Sequence, residues 1–202
     1  MAHITDISKQ VKNPGRINLY LDGEFYCGLD EFTAAAHRLR IDGEVDAEEL
    51  ARIVFDEECN SAFEKAMRFI NVRMRSESEI RRILTEKRYS DIVIDTTVEK
   101  LASYRYIDDA EFARLYIEAH RKKWGVKKLK YALIPFGIDS EILESLFLDM
   151  PDQDEEAYKL AIKYIGSKEL DMRKVYAHLL QKGFDGDTIG RVITRIKENE
   201  GE

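Results

Sequence analysis

The chain has 202 residues, 44% of them hydrophobic and 35% charged, and it carries a formal net charge of -7. This composition predicts a folded protein with an apolar core, and the acidic balance argues against a general nucleic-acid binder. No apolar run approaches the roughly 18 residues that a transmembrane helix needs, and the first residues lack the basic and apolar parts of a secretory signal. The sequence therefore predicts a cytoplasmic protein without a membrane span.

The N-terminal segment alternates apolar and polar residues in the manner of β-strands. Residues 4–11, 16–21 and 24–28 are candidate strands, separated by Asn13-Pro14-Gly15 and by Asp22-Gly23. Asp-Gly between alternating runs favours a hairpin, because a type I′ turn needs positive φ at both central residues. We expect a small antiparallel sheet of three strands.

Two helices follow the sheet. Asp30 is placed to cap the first, which we expect to end near Gly43. Asp46, three residues before Glu49, resembles a capping box and predicts the start of the next helix. We expect this second helix either to run on straight into the next part of the chain or to do so with a kink near Asn60.

One apolar spacing occurs three times in the last two thirds of the chain, with intervals of 4, 5, 5 and 4 residues. A repeated spacing of this kind indicates that one supersecondary unit has been stacked. The three copies are Ile80, Leu84, Tyr89, Ile94, Val98; Leu129, Leu133, Ile138, Leu143, Phe147; and Val175, Leu179, Phe184, Ile189, Ile193.

Each copy predicts three helices, with a tight corner between the second and the third. Gly137 and Gly183 stand at two corners, where a helix often ends in a left-handed residue, and Arg88 is a less favourable choice at the first. Pro135 should end its helix early, and residues 151–156 are predicted to form an acidic linker. The prediction is a mainly α protein with tandem three-helix repeats in an elongated curved body. Its parts are a small N-terminal antiparallel β segment with helices (1–59) and repeats at 60–107, 108–150 and 151–202.

Two motifs lie at predicted helix starts, Arg-x-Arg-Ser-Glu-x-Glu at 73–79 and Tyr-Ile-Asp-Asp-Ala-Glu-Phe-Ala-Arg-Leu-Tyr-Ile at 106–117. Ser76, Asp108 and Asp109 suit helix N-termini, since they accept hydrogen bonds from orphan amides or oppose the helix dipole. Phe112 and Tyr116 have the spacing of packing residues.

Capping does not explain a concentration of basic residues in the centre of the chain. Residues 61–135 hold 17 basic and 11 acidic residues (+6), between segments of -7 and -6. Such a cluster is either a solvated helix face or a surface for an anionic partner, DNA phosphates or acidic protein patches. Trp124 within it could stack on a partner or anchor the next helix. The candidate partner-binding residues are Arg73, Arg75, Arg121, Lys122, Lys123, Lys127, Lys128 and Lys130.

The sequence contains no pattern typical of an active site. No glycine-rich phosphate loop, nucleophile elbow or zinc-ligand spacing occurs, and the four histidines are scattered. Cys27 and Cys59 fit neither a disulfide framework nor a metal site. We expect a protein that is not an enzyme and has no metal, cofactor or small-molecule substrate.

The two motifs and the three-repeat layout resemble the RecX family, bacterial regulators of the RecA recombinase, over roughly residues 60–200. The N-terminal sheet segment looks like the extension of a subset of that family. The resemblance implies a non-enzymatic inhibitor that binds the RecA filament on single-stranded DNA and restrains filament extension, ATP hydrolysis and strand exchange. A direct DNA-binding regulator of helix-turn-helix type remains the alternative, and weak DNA binding fits either case. An α-helical adaptor for another protein is a third interpretation.

Overall fold

The computed structural model of the protein describes residues 1–148, 150–166 and 171–200. It is mainly α-helical with a small N-terminal antiparallel sheet, which confirms the predicted fold class. The chain divides into two compact units. The first comprises Met1–Arg73 and Arg81–Tyr104, and the second comprises Met74–Ile80 and the described part of Arg105–Glu202.

The sheet has four strands where the sequence predicted three. β1 (Ala2–Lys9), β2 (Arg16–Leu21), β3 (Glu24–Asp30) and β4 (Glu44–Val45) lie in the order β3-β2-β1-β4. The predicted turn between β2 and β3 is present, with positive φ at both Asp22 and Gly23. The sequence did not predict β4, because a strand of two residues is too short to show an alternation of apolar and polar residues. The strand forms because Ala2 pairs with Val45.

The first helix, α1 (Glu31–Ala36), is capped by Asp30 as predicted, but it ends well before Gly43. The chain leaves the helix because Arg38 and Asp42 adopt left-handed backbone conformations, with φ of 54° and 62°. The segment after α1 bonds instead to β1. Ile4 donates its N–H to the Gly43 carbonyl and Asp42 donates to the Ile4 carbonyl, each at 2.9 Å.

The sheet packs on the start of α2 (Ala47–Ile70), which Asp46 caps through the amides of Glu48 and Glu49. Buried residues of the sheet, α1 and α2 form one core, and Glu57 of α2 adds two hydrogen bonds. Its carboxylate accepts from the Thr33 hydroxyl at 2.8 Å and from the Asp30 amide at 3.2 Å. The core residues are Ile4, Ile17, Leu19, Leu29, Ala34, Val45, Leu50 and Ile53.

As predicted, α2 runs on into the first repeat, as one helix that includes Asn60, and it packs there against α4 (Asp91–Ser103). Between them in sequence lies α3 (Glu77–Glu86). Arg88 turns the corner from α3 to α4 with a φ of 66°, the left-handed conformation that glycine adopts more easily.

The described residues of the second unit form six further α-helices and a 3-10 turn. Pro135 ends the second of them, as predicted, and the corner glycines Gly137 and Gly183 have positive φ. The acidic stretch 151–156 is a linker only up to Gln153, because Asp154 begins a helix whose first turn favours acidic residues. The helices are α5 (Asp109–His120), α6 (Val126–Leu133) with a 3-10 turn (Ile134–Phe136), α7 (Ser140–Leu148), α8 (Asp154–Ile165), α9 (Met172–Gln181) and α10 (Gly186–Glu200).

The thrice-repeated spacing marks buried positions. Leu84, Leu133 and Leu179, one from each copy, have no exposed surface. The copy in α5–α7 forms one hydrophobic cluster, and the copy in α8–α10 forms another that includes Phe184 and Ile189. Each of these two groups of helices therefore buries an apolar face of its own.

The corner of one repeat contacts the start of the second helix of the repeat before it. Gly125, at the start of α6, donates its N–H to the Lys182 carbonyl at 2.9 Å, and Lys127 donates to the Gly183 carbonyl at 3.1 Å. A Cβ on Gly125 would lie 2.4 Å from the Gly183 backbone. A Cβ on Gly137 would lie 2.7 Å from the Ser78 Cβ, at the start of α3. We call these two contacts the corner joints.

The cysteines are half-buried free thiols. Burial, with smaller contributions from nearby carboxylates, raises the pKa of Cys27 to about 11, so this thiol is protonated at neutral pH. No helix among the described residues is both long and apolar enough to traverse a bilayer.

Candidate partner interface

The first motif, residues 73–79, includes the start of α3. Of its two arginines, Arg75 forms an ion pair within the motif. Ser76 and Glu79 make a capping box, in which the Glu79 amide donates to the Ser76 hydroxyl and the Ser76 amide donates to the Glu79 carboxylate. Arg75 pairs with Glu79 at 3.1 Å, and both side chains are largely shielded from solvent. Arg73 is exposed and belongs to the first unit.

The two aspartates of the second motif have different roles. Asp108 caps α5 by accepting the Glu111 amide at 2.9 Å, as predicted. Asp109 does not cap its own helix. Its carboxylate accepts the Glu77 amide at 2.8 Å, which ties the start of α5 to the start of α3. Burial raises the pKa of Asp109, and the hydrogen bond from Glu77 partly offsets that rise.

A ladder of rings, each about one helical turn from the next, runs along the end of α5 and into the turn that follows it. Tyr116 and His120 stack with centroids 4.3 Å apart, and His120 and Trp124 stack at 4.6 Å. The Lys128 ammonium lies 5.1 Å from the centre of the Trp124 ring. Gln153 donates to the Trp124 carbonyl at 3.1 Å. With these neighbours, Trp124 is an anchor for the turn between α5 and α6.

The structure separates the central basic residues into two groups. Arg121 is internal, because it pairs with Glu156 of α8 at 3.1 Å and its side chain is 20% exposed. Lys128 packs against Trp124 and against Gly183 of a corner joint. The other four are exposed, and we call them the lysine band: Lys122, Lys123, Lys127 and Lys130.

The position of the lysine band relative to the helix dipoles is informative. Lys122 and Lys123 follow the C-terminus of α5, where a positive charge is favourable. Lys127 lies in the first turn of α6, where a cation costs about 0.3–1 kcal/mol. The helix dipole therefore does not account for a lysine at position 127.

A shallow groove between α6 and α7 adjoins the lysine band. It has a volume of about 570 Å³ and is lined by Lys127, Lys130, Tyr131, Ile134, Ser140, Leu143 and Glu144. Sequence reasoning did not single out Tyr131 and Ile134. Their signal was present, because both are large apolar residues that lie off the core spacing of Leu129 and Leu133.

We expect the internal role of Arg121 to be measurable as stability. Arg121→Gln breaks the pair with Glu156 and should lower the free energy of unfolding by about 1–2 kcal/mol. Lys122→Gln, at the neighbouring exposed position, should change it by less than about 0.5 kcal/mol. Urea unfolding of the two variants provides the comparison, and equal effects would contradict the division into internal and exposed residues.

The described residues contain no group of three or more His, Cys, Asp and Glu side chains arranged to hold a metal ion.

Comparison with known proteins identifies the family of the chain. Two family models match, the N-terminal domain of regulatory protein RecX over residues 2–46 and the first three-helix domain of RecX over residues 62–101. The regulatory protein RecX of Clostridium beijerinckii is 31% identical, over 97% of this chain and 96% of its own length. The chain belongs to the RecX family.

Further RecX proteins support this assignment. The Bacillus pumilus protein is 31% identical over the whole of this chain and 80% of its own length. A crystal structure of regulatory protein RecX matches 96% of this chain and all of its own, with a TM-score of 0.68 and 26% identity. RecX from Lactobacillus salivarius has the same fold over 70% of this chain and 98% of its own, with a TM-score of 0.66 and 24% identity. All four strands of the N-terminal sheet lie within residues 2–46, the match to the N-terminal domain of regulatory protein RecX.

Proposed function

We propose that this chain restrains the RecA recombinase by binding the RecA filament on single-stranded DNA. It limits filament extension, ATP hydrolysis and strand exchange in the cytoplasm without catalysing a reaction itself. Membership of the RecX family over nearly the full chain carries the proposal. The lysine band is the proposed contact surface, because it is exposed, clustered and only partly explained by local stability.

The repeats suit a target that is itself repetitive. Three helical groups follow one another along the chain, so contacts made by one group raise the effective concentration of the next group near its own contact. Weak contacts of this kind sum to firm binding on a polymer and stay weak on a free subunit. A chain bound along the filament in this way would inhibit the activities of RecA by occupying its surface.

The exposed faces of the repeats argue against direct reading of DNA bases. In a helix-turn-helix protein, the last helix enters the major groove. Here Asp91, Asp95 and Glu99 of α4 are exposed, as are Glu141 and Glu144 of α7. Carboxylates on these helices would repel the phosphates that line the groove.

We expect the protein to bind the RecA filament at least tenfold more tightly than single-stranded DNA of the same length. A net charge of -7 with one basic region gives weak binding to DNA, and that binding falls steeply with salt. Contacts with the protein part of a filament depend less on salt, so the ratio should widen from low to physiological salt. Fluorescence anisotropy on both targets measures it. Equal affinities with the same salt slope would favour a DNA-binding regulator.

Replacing Lys122, Lys123 and Lys127 by Glu should weaken inhibition of RecA. The protein concentration needed to inhibit RecA ATP hydrolysis should rise by tenfold or more. A matched control reverses Lys159, Lys163 and Lys197, three exposed lysines of α8 and α10. The control has the same net charge and should inhibit within about twofold of the parent. Equal loss in both variants would assign the effect to overall charge, and no loss in either would remove the lysine band from the interface.

A further inference from the structure

The groove between α6 and α7 exposes apolar side chains that the repeat itself does not require. Tyr131 is 74% exposed and Ile134 is 63% exposed. The spacing that aligns Leu133 with Leu84 places Arg82 and Thr85 at the same two positions of the first repeat. A polar residue is therefore compatible with the fold at both positions, and large apolar residues there form a patch without a packing role.

At the corresponding surface of the first repeat, an ion pair links the two helices. Arg81 of α3 pairs with Asp95 of α4 at 2.6 Å, and Ile94 beside it is only 3% exposed. The equivalent residues of the second repeat are Lys130, Glu144 and Leu143. Within the described part of the chain, Lys130 and Glu144 form no ion pair, and the Lys130 ammonium lies 5.2 Å from the centre of the Phe147 ring. Leu143 is half-buried at the floor of the open groove.

The charges around the groove are unequal on its two walls. Lys127 and Lys130 stand on the α6 wall, and Lys122 and Lys123 precede that helix. Ser140 and Glu144 stand on the α7 wall. A partner that places carboxylates against the α6 wall gains two charge pairs, whereas carboxylates against Glu144 would be repelled. The groove therefore complements a segment that is apolar in the middle and acidic on one side.

We propose that this groove docks a segment of a partner protein that inserts one large aliphatic or aromatic side chain between Tyr131, Ile134 and Leu143. Asp or Glu residues of the same segment pair with Lys127 and Lys130. The apolar side chain supplies most of the affinity, since a buried anchor dominates such interfaces, and the lysines fix the direction of the segment. This inference stands apart from the RecA proposal, because it concerns the chemistry of the segment and its test contains no RecA.

The test uses short acetylated peptides and the 202-residue chain labelled with ¹⁵N. Three probes carry a central Leu, Ile or Phe with Asp and Glu on one side and Ser and Ala on the other. Two controls replace the central residue by Ser or the acids by Lys. We expect at least one probe to shift the amide signals of Tyr131, Leu143 and Glu144 in a saturable way, and the controls to bind at least tenfold more weakly.

Variants locate the binding. The double change Tyr131→Ser with Ile134→Ser should weaken peptide binding by tenfold or more, since both side chains are exposed and the fold should tolerate their loss. Lys127→Gln with Lys130→Gln should weaken it severalfold, and less at high salt. The matched control, Lys122→Gln with Lys123→Gln, should stay within about twofold. Thermal unfolding of each variant checks that the fold is intact.

Three outcomes would overturn the inference. The first is that none of the three probes shifts these amides at millimolar concentration. The second is that the serine or lysine control peptides bind as well as the probes. The third is that a single-stranded oligonucleotide saturates the same amides more tightly than any peptide, which would assign the groove to nucleic acid.

Discussion

Gly125→Ala should lower the free energy of unfolding by about 3 kcal/mol or more. The backbone of Gly125 has an ordinary φ of -78°, so alanine brings no conformational strain. The loss comes from the added methyl group, which would lie 2.4 Å from the backbone of Gly183 and must push the two chains apart. Separation also weakens the hydrogen bonds from Gly125 and Lys127 to the Lys182 and Gly183 carbonyls.

The matched control is Gly190→Ala in α10, where an added Cβ would meet nothing within 4 Å. Alanine at that helical position should raise stability by up to about 1 kcal/mol. Urea unfolding of both variants gives the two free energies, and hydrogen exchange at Gly125 and Lys127 reports the joint itself. A Gly125→Ala protein as stable as the parent would mean that the two repeats do not approach this closely.

Leu133→Ala and Leu179→Ala should each cost about 2–5 kcal/mol, because both side chains are fully buried and leave cavities. The effects should differ in place. Leu133 lies in the core of α5–α7 and Leu179 in that of α8–α10, so each variant should lose most protection in its own group. Hydrogen exchange followed by mass spectrometry separates the two patterns. A uniform loss of protection over the whole chain in either variant would contradict repeats with cores of their own.

Much of the fold could be predicted because its signals are local. The repeated spacing predicts the core positions Leu84, Leu133 and Leu179. Helix starts are equally local, since Asp30, Asp46 and Asp108 cap helices that begin at the next residue. The Asp-Gly turn is equally local. Elements whose bounds depend on pairing with a distant part of the chain were not predicted correctly. α1 ended early because the chain after it bonds to β1, and β4 exists only through its pairing with Ala2.

The candidate site shows the same limit. Sequence marks Arg75, Arg121 and Lys128 as basic, and it cannot mark them as engaged with Glu79, Glu156 and Trp124. An ion pair between α5 and α8 depends on how two repeats pack, which no single window of sequence contains. The groove was missed for a related reason. Tyr131 and Ile134 lie off the core spacing, but their exposure to solvent becomes evident only in the structure.

The corner joint at Gly125 has a consequence for how the chain matures during synthesis. The first amides of α6 have no side-chain cap, and they find their acceptors in the carbonyls of Lys182 and Gly183. Those carbonyls follow α9, so they become available only after the ribosome has made the chain as far as Gly183. Until then α6 begins with bare amides that only water can satisfy. The second repeat therefore forms all of its hydrogen bonds only after the third has been made. In a chain released after α8, the first amides of α6 would lack these acceptors.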